Sequence, residues 1–161
     1  MKKIIRLFLV ITVITFASCN SSDDELSGNL KVTGSIEVSE LAKLTSNDAT
    51  ALVTLNGEAA ATYTTEASIG TEISYEVSTT SSNVEIVILD FFYTSGNREL
   101  WEIGIEQTVD SQSSISVASL KVINGLVGDE VKFGFTFALK TNGVLDTTTT
   151  YIVDPKIRVR S

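Results

Sequence analysis

From Leu30 onward, apolar and polar residues alternate with a period of two, and the 3.6-residue spacing of an amphipathic helix hardly occurs. Leu30, Val32, Ile36 and Val38 share one face, with Lys31, Thr33, Ser35, Glu37 and Ser39 on the other. The pattern is sharpest in "VKFGFTFALK". There Val131, Phe133, Phe135, Phe137 and Leu139 point one way, and Lys132, Gly134, Thr136, Ala138 and Lys140 the other. Because side chains alternate sides along a strand, this predicts a half-buried antiparallel strand. Further strands are predicted at "ALVTL" (51–55) and at "EISYEVS" (72–78), which groups Ile73, Tyr75 and Val77. "VEIVILDFFY" (84–93) is apolar on both faces and reads as a central strand.

"LWEIGIEQTV" (100–109) places Trp101, Ile103, Ile105 and Val109 opposite Leu100, Glu102, Gly104 and Glu106. "SISVASLKVI" (114–123) changes parity after Val117, which predicts a bulge or strand end near Ala118. "TTTTYIV" and "KIRVR" follow, with Pro155 between them as an edge or a break. "TSGN" (94–97) joins two strands, "TNG" (141–143) holds an Asn-Gly pair suited to a tight hairpin, and "GLVGDE" (125–130) leads into the phenylalanine strand. Residues 42–50 and 57–71, rich in Ala, Thr, Ser and Asn, are the expected long loops. Roughly seven to nine such strands predict one all-β antiparallel sandwich over residues 30–161, with no internal repeat and no second domain.

The N-terminus follows a different pattern. "MKKIIR" carries Lys2, Lys3 and Arg6, and an apolar run from Leu7 to Ala17 follows. The run is shorter than the roughly 20 residues of a spanning helix, so it predicts a cleaved secretory signal. A short N-terminal membrane anchor is the competing reading. "FASC" (16–19) resembles the lipobox of bacterial lipoproteins, with Phe16 where leucine is usual. The resemblance implies lipidation of Cys19 and cleavage before it, against the alternative of a free thiol after ordinary signal cleavage. Residues 1–18 would then be the signal peptide and 19–29 a lipidated cysteine on a flexible acidic tether.

Asn20 is not the aspartate that retains some Gram-negative lipoproteins at the inner membrane. Ser22, Asp23, Asp24 and Glu25 are similar to the acidic export signal of Bacteroidota surface lipoproteins, although an ordinary acidic linker has the same composition. The resemblance implies an outer-membrane address with the domain on the cell surface, the periplasmic face being the alternative. "GTEISYEVSTTSSNVEIVILDF" and "LVGDEVKFGFTFALKTNGVLDTTTTYIV" resemble the immunoglobulin-like or PKD-like domains of such lipoproteins. In those a Gly-Asp turn precedes the penultimate strand and a Thr-rich strand ends the domain. The likeness spans about residues 70–155 and implies a fold and a compartment, with no catalytic residue to carry over.

Charge narrows the partners. Loss of residues 1–18 removes three of the twelve basic residues and none of the twenty acidic ones, so nine stand against twenty and the mature chain lies near −11. Such a surface repels phosphate backbones and anionic headgroups, which excludes nucleic acid and leaves membrane contact to the lipid. With one cysteine there is no internal disulfide, and the apolar core must hold the fold.

The absence of histidine excludes Ser-His-Asp triads, Cys-His nucleophiles and His-based metal sites. No phosphate-loop or calcium-loop spacing occurs, so no cofactor or metal is expected. Carboxylates remain. Glu102 and Glu106 fall on one strand face, and Asp90 lies in the neighbouring apolar strand among Ile88, Leu89, Phe91 and Phe92. Two carboxylates held about 5–10 Å apart cleave glycosidic bonds, whereas dispersed ones are solvated surface. Asp90 needs a partner, either a turn N–H or Arg98. Trp101 with Tyr93 forms either a sugar-stacking platform or, on the parity of Ile103, part of the core. Asp146-Thr147-Thr148 resembles the short O-glycosylation signal of the Bacteroidota.

Together these features predict a non-catalytic surface module that binds a glycan, nutrient or protein partner through loops 42–50, 57–71 and 94–97. The alternative is a small carboxylate-dependent hydrolase acting on glycans.

Overall fold

A computed structural model describes residues 28–104 and 118–161. The phenylalanine stretch becomes β9 (Glu130–Thr141) and organises one sheet. β6 (Val84–Gly96) runs antiparallel along one edge, from Val84 opposite Thr141 to Gly96 opposite Val131. Along the other edge lie β10 (Val144–Val153) and β11 (Lys156–Val159), interrupted at Asp154-Pro155. The expected break at Pro155 is therefore real, since proline offers no ladder N–H. β4 (Thr64–Ala67) completes this sheet alongside β11. The second sheet has the order β3-β2-β1-β5-β8-β7. Its strands are β1 (Asn29–Ser35), β2 (Thr54–Leu55), β3 (Glu58–Ala59), β5 (Glu72–Ser78), β7 (Trp101–Ile103) and β8 (Ala118–Val122).

The fold is all-β, but its sheets are mixed and the purely antiparallel expectation is corrected. β1 pairs with β5 in parallel, and β4 with β11. Alternation encodes which side a residue faces and says nothing of a neighbour's direction. The chain from β1 to β5 passes through a one-turn helix, α1 (Val38–Leu41), and through β2, β3 and β4, which makes the crossover that a parallel pair requires.

Both sheets turn their apolar faces onto one core. Val32, Ile73, Tyr75, Val77, Leu120 and Val122 come from one layer, and Ile86, Phe91, Phe133, Phe135 and Ile157 from the other. Tyr75 sits between the layers, with ring centroids 5.9 Å from Phe91, 5.5 Å from Phe133 and 6.0 Å from Phe135. Its hydroxyl bonds that of Thr65 at 3.0 Å, both groups being buried. Burial pushes the phenol's pKa up, which keeps it neutral. Each buried ring of this kind contributes about 1.5–3 kcal/mol of apolar transfer free energy.

Several local expectations change. β9 is not half-buried throughout: besides the phenylalanines, Gly134, Ala138 and Lys140 on its opposite face are buried. Register slips at Leu89 and Thr94 bend β6, whose one strand neighbour among the described residues is β9. A 3-10 turn, Arg98–Leu100, precedes β7; Leu100 is buried and Ile103 exposed, against the parity expected, while Trp101 packs on the core as expected.

The two long loops are largely structured. Residues 57–71 contain β3 and β4 and bury Ala60, Tyr63, Thr65 and Ala67. Within 42–50, Asp48 bridges Ile152, and the Ala49 N–H donates to the Ile152 carbonyl at 2.8 Å. Two Asn-Gly turns close hairpins, with φ of 49° and 85° at Asn56-Gly57 and of 50° and 81° at Asn142-Gly143. The positive φ values are what this pair tolerates.

Candidate functional site

Two of the three candidate carboxylates, Asp90 and Glu102, sit on different sheets. Asp90 lies on β6 opposite Thr136, and Glu102 on β7 opposite Lys121. Asp90 is exposed just past the Leu89 bulge, where its Oδ1 accepts the Phe91 N–H at 2.8 Å. Its partner is therefore its own backbone and not Arg98, whose guanidinium stands 5.7 Å from the Tyr93 ring centroid. Glu106 falls outside the described residues, as do Ile105, Val109, residues 114–117, Cys19 and the segment Ser22, Asp23, Asp24 and Glu25. Among the described residues no cluster of His, Cys, Asp or Glu is arranged to hold a metal ion.

The two aromatics do not share a platform. Trp101 turns toward the core, 6.1 Å from Phe133 between ring centroids, while the Tyr93 hydroxyl donates to the Gly96 carbonyl at 3.0 Å. Asp146 accepts the Thr148 N–H at 2.9 Å and its hydroxyl at 2.6 Å, which leaves Thr147 exposed between them. Those two bonds hold the Asp146 carboxyl below its ordinary pKa.

An ion pair the sequence did not signal lies on the outer face of the β9 sheet. Lys140 is almost fully buried, and its Nζ lies 3.0 Å from Glu85 Oε2, the two residues standing opposite each other in the β6–β9 ladder.

What the fold does assemble is one end of the two-layer domain. Asn29, Glu72 and Lys121 are aligned there across three strands. The 68–71 turn joins them through the Gly70 N–H, which donates to the Val122 carbonyl at 2.8 Å. Gly96 and Asn97 arrive from the other sheet, opposite the start of β9. Of the three loops expected to make contacts, 94–97 is the one placed wholly at this end.

The turn before β9 is held there on all sides. Asp129 Oδ2 accepts the Leu126 N–H at 3.0 Å and Asn97 Nδ2 at 3.2 Å. The Asp129 N–H donates to the Leu126 carbonyl, and the Gly128 N–H to the Val159 carbonyl, each at 2.9 Å. Gly125 and Gly128, at φ 124° and 95°, turn the chain sharply on either side of Leu126 and Val127. Both apolar side chains point outward and are exposed. An apolar pair enclosed by glycines in "GLVG" was the available signal for this tip, masked by its reading as a connector.

Behind the turn, Arg158 Nε donates to Glu130 at 2.7 Å and Nη1 to Glu66 at 3.0 Å, ties that raise the guanidinium pKa further. Side-chain and backbone bonds thus tie this end together.

No family model matches the sequence, and no curated protein matches it. Among solved structures, the inclusion body protein PixA from Burkholderia cenocepacia is similar, with a TM-score of 0.59 and 10% identity over 81% of this chain and 94% of that one. At that identity the likeness is one of fold. No helix among the described residues is long and apolar enough to cross a membrane, which leaves the question of a β-barrel untouched.

Proposed function

We propose that this chain is a lipid-anchored outer-membrane protein of the Bacteroidota surface type. Its immunoglobulin-like sandwich binds or supports a glycan, nutrient or protein partner and catalyses nothing. The observation that carries the reading is Cys19, placed directly after a basic start and an apolar run too short to span a bilayer, and followed by an acidic tether. Two or three acyl chains hold such a protein firmly, because each buried methylene adds about 0.8 kcal/mol. The placement of Asp90 and Glu102 on separate sheets supports the non-catalytic part, as does an acidic chain for the exclusion of nucleic acid.

Two experiments test this. The intact mass of protein extracted from membranes should show acyl chains on Cys19, and Cys19→Ser should abolish them and release or mislocalise the protein. A variant that partitions with membranes like the parent refutes the anchor. The full chain should also turn over no polysaccharide or peptide substrate. Turnover that Asp90→Asn, Glu102→Gln and Glu106→Gln together abolish would install the hydrolase instead.

A further inference from the structure

Exposed apolar side chains gather at the end where the described chain begins. Ile69, Ile123, Leu126 and Val127 are 52%, 42%, 76% and 71% exposed, and all four lie in the connections that meet there. Leu126 and Val127 are not frayed. Asp129, Asn97 and Val159 hold their turn in a fixed shape, so the cost of ordering it on contact is already met. Exposed apolar clusters on a rigid frame mark contact surfaces.

We propose that this end lies on the lipid bilayer, with Leu126 and Val127 dipping into the acyl boundary as a second, non-covalent foothold. The inference rests on the Cys19 anchor reading. Residues 20–28 are the whole length between the anchor and β1, and they reach about 30 Å at full extension. Because β1 starts at Asn29, beside Glu72 and Lys121, that leash ends on the same face as the apolar tips and holds them near the membrane. The rim carries both signs of charge. Lys121, Arg98 and Arg160 stand there with Glu72, Glu99, Glu102 and Asp129, and the Asp129 carboxylate is engaged by the Leu126 and Asn97 N–H groups. A slightly acidic rim around an apolar tip suits a zwitterionic surface and disfavours an anionic one. The opposite end, with the Asn142-Gly143 hairpin and Val144, then faces outward toward a partner.

The test uses the full chain, with a Leu126→Cys or a Val144→Cys substitution carrying an environment-sensitive fluorophore. Each is reconstituted through its anchor into phosphatidylcholine vesicles containing a spin-labelled lipid. A tip sunk about 5–10 Å into the interface should be quenched about twofold or more at position 126 and left unquenched at 144. Intact mass reports acylation of Cys19 separately. Acylated, vesicle-bound protein with no quenching at 126 overturns this inference and leaves the anchor standing, whereas absence of the acyl group removes the anchor itself. A blue shift at 126 without lipid quenching assigns the tip to a protein surface, such as a second copy, and also overturns the inference.

Discussion

Replacing Phe135 by alanine removes a ring that is fully buried between the two layers, 6.0 Å from Tyr75 and 6.1 Å from Phe91. Burial of the ring is worth about 1.5–3 kcal/mol. The two ring contacts add about 0.5–1.5 kcal/mol each. The cavity left behind adds to the loss, which agrees with the about 3–5 kcal/mol typical of buried Phe→Ala changes. Domains of this size have total stabilities of about 5–15 kcal/mol, so the variant should keep its fold only narrowly. Its Tm should fall by about 10 °C or more. Urea unfolding followed by Trp101 fluorescence reads this directly, because Trp101 is the single tryptophan and packs near Phe133. The neighbouring Thr136→Ala, on the other face of β9, should stay within about 0.5 kcal/mol of the parent. A loss below about 1 kcal/mol at Phe135, or an equal loss at Thr136, would refute the assignment of the core face.

Removing Glu85 as Glu85→Ala should strand the buried Lys140 ammonium and cost about 3 kcal/mol, at the low end for a broken buried pair because Glu85 keeps some solvent. Glu76→Ala, which breaks the more exposed pair with Lys31, should cost less than about 1 kcal/mol by the same denaturation assay. Gly134→Ala should destabilise by about 1–3 kcal/mol, because its methyl group would collide with the Phe92 ring and the Asp154 carboxylate.

Bonds from Thr50 hold the Asp48 pKa below its ordinary value. The folded state therefore binds that proton less readily than the unfolded chain. The stabilisation is complete above the unfolded pKa of about 3.9 and is lost as the pH falls through the depressed value. Urea midpoints measured from neutral to acid pH should fall over that window for the parent, and less steeply for Asp48→Asn.

Sequence alternation marked β5 at its observed limits, Glu72–Ser78, and placed Phe133, Phe135 and Phe137 on the core, because a strand's side-chain period is written directly into residue order. It did not reveal that β1 runs parallel to β5, since direction depends on a partner far along the chain. The burial of Leu100 lies in a three-residue turn, Arg98–Leu100, where strand parity does not apply. Asn56-Gly57 was as legible as Asn142-Gly143, yet the Ala- and Thr-rich sequence after it concealed the short strand β3 and the buried Tyr63. The Leu126-Val127 tip was visible only as composition. What makes it a surface is Asp129, which binds Asn97 from a turn distant in sequence.

Pairing of β11 between β9 and β4 governs when the molecule can finish folding. Among the described residues, β4 has no other strand to join, so Thr64–Ala67 must wait until Lys156–Val159 has emerged. Closing so long a loop before any reward slows folding. The incomplete sheet meanwhile leaves its apolar face open to capture by other chains. The late arrival of β11 thus delays closure of the sheet that β9 organises.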